Sequence, residues 1–209
     1  MGIKLANPKP LGLCAFAVTT MVLSMHTAGI GIPYNSPNGV VVGLCMFYGG
    51  MTQFIAGLIN FVDGTPFDAT SFCSFGAFWM AYGAIQIPWF GVIGGWGANN
   101  NATQRHSTGI FFLAWTIFIF IVMVASYRRH LGVAFMFTCL WLTFLMLCIG
   151  SWRDTDKFLK AGGSFGFITS IIAFYLAATY MITEDHGFIN LINVDLRPKN
   201  RRIAEDGHE

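Results

Sequence analysis

The sequence predicts an all-α integral membrane protein of six transmembrane helices, and three observations carry that prediction. Charged residues make up 11% of the 209 positions and hydrophobic ones 55%, where a soluble domain carries about a quarter charged. Mean hydropathy is +0.59. Apolar runs of about 20 residues, the length needed to cross a bilayer core, recur between short breaks rich in Gly, Pro, Asn and charge.

The first run occupies residues 11–31. It follows Lys4 and Lys9, as a secretory signal would, but its length, Pro8 and Pro10 at its start and the runs after it mark a first membrane helix. Pro33, Pro37 and Gly39 break the chain before a second run at 40–62. Asp63, Gly64, Pro66 and Asp68 separate that from a third at 71–93. The stretch WGANNNATQRH, residues 96–106, precedes a fourth run at 107–127, and the tight turn Arg128, Arg129, His130 leads to a fifth at 131–151. WRDTDKFLK, residues 152–160, comes before the sixth at 161–183.

Residues 1–10 are thus expected as an N-terminal segment, 11–186 as a six-helix transmembrane domain and 187–209 as a tail. Eight of the 12 Lys and Arg residues fall on the face that holds both termini. The excess of Lys and Arg on cytoplasmic loops therefore puts both ends in the cytoplasm, in a cell membrane, plasma or inner. The triplet Asn101-Ala102-Thr103, a glycosylation pattern common by chance, then lies outside.

Several function classes are disfavoured. A net charge of +2 without a basic face gives no footprint for nucleic acid. Cys14, Cys45, Cys73, Cys139 and Cys148 all sit in apolar runs without CxxC spacing and read as small buried hydrophobes, neither a disulfide framework nor a zinc site. Glu184, Asp185 and His186 stand at the end of a run without further ligands at useful spacing, so no metal is expected. There is no GxSxG, P-loop or dinucleotide-binding glycine turn, so neither an enzyme nor a cofactor is expected.

The polar residues inside the runs are more informative. None is Asp, Glu, Lys or Arg at mid-run, which removes carboxylate relays of the kind found in many proton-driven pumps. In FYGGMTQFIAGLINF, residues 47–61, Gly49, Gly50, Gln53, Gly57 and Asn60 recur at steps of three or four, on one helical face. The first run does the same with Gly12, Phe16, Thr19, Thr20, Leu23 and Thr27, the third with Ser71, Phe75, Phe78, Tyr82 and Gln86, and the sixth with Gly166, Ser170, Ala173 and Ala177.

Such stripes have two readings. Small residues let helices approach closely and hydroxyls bridge neighbours, whereas an amide has four hydrogen-bonding positions to fill, more than packing requires. Gln53 and Asn60 are therefore candidates to face a solute path. His26, titratable near neutral pH, is a candidate proton carrier or gate, or simply an interfacial side chain.

At the N-terminus, LANPKPLGLCAF, residues 5–16, resembles the N-P-x-P-L-G-L signature of the acetate uptake transporter family, whose bacterial members are succinate-acetate permeases. FYGGMTQFIAGLINF, TSFCSFGAFW (70–79) and AFYLA (173–177) are similar to further family runs in the same order. The resemblance implies six helices around a pore within each subunit, a homo-hexamer in the lipid bilayer, and passage of acetate and other small carboxylates such as succinate, by channel or proton symport. It implies a hydrophobic constriction of Phe16, Phe75 and Leu140, with Phe75 standing where the family has tyrosine, and it puts Ala173 beside the pathway. Bacterial members carry Glu where this chain has Asn60, which removes a titratable group.

A carboxylate with a pKa near that of Glu, about 4.3, is costly to move bare through hydrocarbon. The helix start from Asn7 through Leu11 and Gly12 offers exposed N–H groups to collect it. Thr19, Thr20 and Gln53 can donate mid-membrane, and Gly49 and Gly50 allow close approach of a neighbour or the solute. A pore for neutral solutes such as urea or ammonia, and a non-transporting structural or sensory membrane protein, are the alternatives.

Overall fold

The computed structural model describes residues 6–34, 36–96 and 101–182, and every regular element among them is helical. Helix α1 is Lys9–Ala28, α2 is Val40–Val62 and α3 is Pro66–Gln86. A 3-10 turn at Pro88–Phe90 and the short α4, Val92–Gly95, follow. The chain finishes with α5, Asn101–Ser126, α6, Leu131–Arg153, and α7, Asp156–Met181. Five of these, α1, α2, α5, α6 and α7, are long and apolar enough to cross a bilayer. The tail and its Glu184, Asp185 and His186 lie outside the described residues.

Local chemistry sets the helix ends. Pro10 stands in the first turn of α1, where its missing N–H is no loss, and Asn7 Oδ1 accepts from the Lys9 backbone N–H at 3.0 Å. Gly29, at φ 75°, ends α1 in the left-handed conformation, and the Ile30 N–H closes back on the Met25 carbonyl at 2.9 Å, as in the usual glycine C-cap.

Helix α3 starts five residues before its expected limit and stops seven before it. Pro66 opens the helix instead of breaking the chain, so Asp68 falls in its first turn. Ile87, held extended by Pro88, closes it. The fourth and sixth runs likewise extend N-terminally. Asn101 opens α5, so the triplet Asn101-Ala102-Thr103 is helical, and only Asp154 and Thr155 separate α6 from α7.

Helix α2 is one rod with a change of winding: from Leu44 to Thr52 it widens to π geometry, and the Thr52 hydroxyl donates to the Phe47 carbonyl five residues back at 2.9 Å. Phe47, Ile55 and Leu58 point outward and are exposed, while Gln53 and Asn60 are fully buried, as the stripe predicts.

Helix α1 lies along α7; α2 with α3, α5 with α6, and α6 with α7 pack as neighbouring pairs. The α1–α7 approach depends on glycine: a Cβ at Gly163 would sit 2.6 Å from the Ala28 nitrogen, and one at Gly166 would strike the Ser24 hydroxyl. Helices α3 and α5 meet through rings, Phe75 stacking on Trp115 at 6.4 Å and Phe78 on Phe111 at 5.7 Å between centroids.

Charged groups tie the two ends. At one, Asp68 pairs with Lys9 at 3.2 Å and with Arg129 at 3.0 Å. At the other, Arg105 pairs with Asp154 at 3.0 Å. There the Tyr34 hydroxyl also donates to Asp156 at 3.0 Å, and burial, then that bond and the carboxylate's charge, push the phenol up to about 12.

Candidate functional site

Phe16, Thr20, Ser24 and Thr27 of α1 are spaced by four, four and three residues and so share one face. That face lines a cavity of about 310 Å³. Helix α3 contributes Phe75, Trp79, Tyr82 and Gln86, α5 contributes Gln104 and Thr108, and α6 contributes Leu140, Thr143 and Ser151. Every lining residue is uncharged. The cavity thus occupies the half of the bundle holding the ends of α1, α3 and α6 and the starts of α5 and α7.

A second cavity, about 20 Å³, lies toward the opposite end, against Leu13, Gln53, Ser71, Phe72, Met136 and Phe137. Phe16 and Phe75 line both cavities. Their centroids are 5.7 Å apart, so this ring pair is the partition between the two. Phe75 is held further by Phe118 at 5.8 Å and Phe137 at 6.1 Å. Leu140 is 2% exposed and lines the larger cavity with both rings, so the three expected constriction residues come together.

Unpaired polar atoms flank that partition. Among the described residues, Thr20 Oγ1 and Trp79 Nε1 on the wide side, and Gln53 Oε1 and Nε2 with Ser71 Oγ on the narrow side, are buried without a protein partner. Leaving such a group unsatisfied costs about 1–3 kcal/mol. Trp79 and Gln53 present N–H donors and the hydroxyls present both roles, a set that suits a small oxygen-bearing solute.

The remaining candidates are placed elsewhere. Thr19 is fully buried, its hydroxyl donating to the Ala15 carbonyl at 2.9 Å, and it fills the space over Gly49, where a Cβ would lie 2.5 Å from Thr19 Oγ1. Gly50 abuts Met80, Gly12 abuts the Phe72 ring, and Ala173 is a core residue. These positions belong to helix packing.

Asn60 does not line either cavity. Its amide donates to the Ala56 carbonyl and its Oδ1 accepts from the Thr65 hydroxyl, both at 2.9 Å, so it secures the end of α2. The reason is local: an amide at a helix end finds nearer partners in its own last turn and in the next turn than in a path. Asn7 Oδ1 accepts from the first N–H of α1, Leu11 is 44% exposed, and His26, half-buried with Nδ1 unpaired, does not line the wide cavity.

Trp79, Ser24, Gln104, Thr108 and Thr143 line the cavity and were not singled out as site residues in the sequence. Ser24 lies one turn from the stripe positions Thr20 and Thr27 and could have been found by extending the period; Thr143 stands in a run without a stripe, and Trp79 carried no signal beyond its aromaticity.

Comparison with known proteins bears on the fold and the family. The chain is 37% identical over 203 residues to the Ammonia transport outward protein 2 of Saccharomyces cerevisiae, covering 96% of this chain and 70% of that one. It is 31% identical over 185 residues to the Succinate-acetate/proton symporter SatP of Escherichia coli K12, covering 88% and 93%. A solved structure of the bacterial acetate channel SatP superposes with a TM-score of 0.77 at 30% identity, over 90% of this chain and 98% of that one. The chain spans 65% of the length of another yeast relative it matches. The GPR1/FUN34/yaaH family model matches residues 2–198, and the chain, a multi-pass helical membrane protein, belongs to that family.

Proposed function

We propose that this chain moves acetate and related small carboxylates, succinate among them, across a cell membrane, through a path within each subunit of a homo-hexamer with both termini cytoplasmic. Helix α3 is the sixth crossing: its 21 residues extend about 31 Å, matching the hydrocarbon core. The observation that carries the reading is the ring partition of Phe16 and Phe75 with unpaired buried polar atoms on both sides. The similarity to the symporter and channel named above supports the substrate class.

A carboxylate or its acid enters the wide cavity and exchanges water for Thr20 and Trp79. It passes Phe16, Phe75 and Leu140, which exclude hydrated or bulky solutes, and is received by Gln53 and Ser71. Since neutral side chains line both cavities, a proton crosses them with the solute or not at all. The test is uptake of labelled acetate by proteoliposomes holding the purified protein, with and without an imposed pH gradient. Flux above empty vesicles is expected; a gradient that accelerates it marks symport, and indifference marks a channel.

The uncharged lining equally suits ammonia, which the name of the yeast relative supports. Methylammonium flux exceeding acetate flux in the same vesicles would favour that second reading.

A further inference from the structure

An ion cluster stands about one helical turn beyond the narrow cavity. Lys9 lies one turn before Leu13, Asp68 lies one turn before Ser71 and Phe72, and Arg129 lies two turns before Met136; those four apolar and hydroxyl residues line the cavity. Their charged predecessors are in contact: Asp68 Oδ2 meets Lys9 Nζ at 3.2 Å, and one Arg129 nitrogen reaches both Asp68 oxygens at 3.0 and 3.1 Å. Phe67 lies under the Arg129 guanidinium at 4.4 Å, and Tyr180 faces Lys9 at 5.9 Å. The cluster joins the starts of α1 and α3, the α5–α6 turn and the end of α7.

Among the described residues it holds two cations to one carboxylate. The Asp68 side chain is 15% exposed and those of Lys9 and Arg129 are 23% and 31% exposed, so all three are reachable yet screened less than surface ions. From this geometry we infer that the Lys9–Asp68–Arg129 cluster is a carboxylate-binding gate, at which a small monocarboxylate competes with Asp68 for Arg129 and Lys9. The inference rests on the proposed transport of carboxylates. A solute leaving the narrow cavity at this end passes between the elements that Asp68 holds together, and its own carboxylate is the chemical equivalent of the group it displaces. Arg suits the exchange because its guanidinium holds further N–H donors beside the one on Asp68, which an arriving carboxylate can take before Asp68 leaves.

The test measures initial rates of labelled acetate movement from each face of sided proteoliposomes. Asp68→Asn removes the competitor, so KM from the cluster face falls about fivefold, a factor set by the worth of a partly exposed ion pair. Arg129→Gln raises that KM by a similar factor. KM from the wide-cavity face stays unchanged in both, and both shifts shrink at high salt. If Asp68→Asn does not assemble, Arg129→Lys, which keeps the charge and loses the fork, must still raise KM from the cluster face. Unchanged KM, or equal changes at both faces, overturns the gate alone. Absence of acetate flux through the wild type overturns the transport reading and the gate with it.

Discussion

Helices α1 and α2 carry the same kind of stripe, small and polar residues every three or four positions, and use it in opposite ways. On α1, Phe16, Thr20, Ser24 and Thr27 open onto a cavity of about 310 Å³. On α2, Gly49 and Gly50 are pressed against Thr19 and Met80, Asn60 is bonded within its own helix end, and Gln53 lines the narrow cavity. The difference is in hydrogen-bond satisfaction: Thr20 Oγ1 and both Gln53 amide atoms lack a protein partner, whereas Thr19 and Asn60 have theirs. Periodicity tells which residues face inward; an unpaired buried atom marks one left for a solute, while a paired one can serve either use, since Thr27, Thr108 and Thr143 line the cavity with hydroxyls bonded one turn back.

Substitutions sharpen that contrast, the largest effect first. Gly49→Ala puts a methyl 2.5–2.7 Å from three atoms of Thr19 and should lower stability by about 1–3 kcal/mol despite the gain in helix propensity. Adding Thr19→Ala should recover most of it, read as thermal unfolding in detergent; no loss in the single variant would break the packing reading of α2. Gln53→Leu should act in two directions, raising the unfolding temperature by removing an unsatisfied buried amide and slowing acetate flux about tenfold. Unchanged flux in a stabilised protein would return Gln53 to the packing class.

Asn60→Ala loses the bonds to Ala56 and Thr65, a cost of about 1 kcal/mol, with flux per folded molecule unchanged. A flux defect there would mean that the path reaches the end of α2. Thr20→Val preserves shape and deletes one cavity-facing hydroxyl; flux should fall about twofold to threefold, the worth of a modest hydrogen bond, with no loss of stability.

Much of the bundle was legible because lipid leaves few choices: Pro33, Pro37 and Gly39 mark the α1–α2 break, and α2 and α6 begin at the expected residues. Two of the misplaced starts, those of α3 and α7, share one cause. Pro66, Asp68 and Asp156 read as breaks by type, yet proline and acids are favourable in a first helical turn, where they stand here. The start of α5 differs: its first turns from Asn101 are polar without an acid, so they read as a loop and Gln104's place at the cavity is hidden. The expectation of a constriction at Phe16, Phe75 and Leu140 came from family resemblance alone, since nothing in their own spacing separates a constriction from a core. Asn60 was misjudged because its partners, a carbonyl one turn back and Thr65, are local and do not show in a stripe.

The widened winding of α2 has a consequence for tolerance to length change. Between Leu44 and Thr52 the rod holds a surplus residue relative to an α-helix, and each residue turns an α-helix by about 100°. Deleting one residue there would take up that surplus and restore ordinary winding, leaving Val41 and Gln53 facing nearly as before. The segment is thus where α2 best absorbs a change of length, whereas the same loss between Gln53 and Asn60 would turn Asn60 by about 100° away from Thr65.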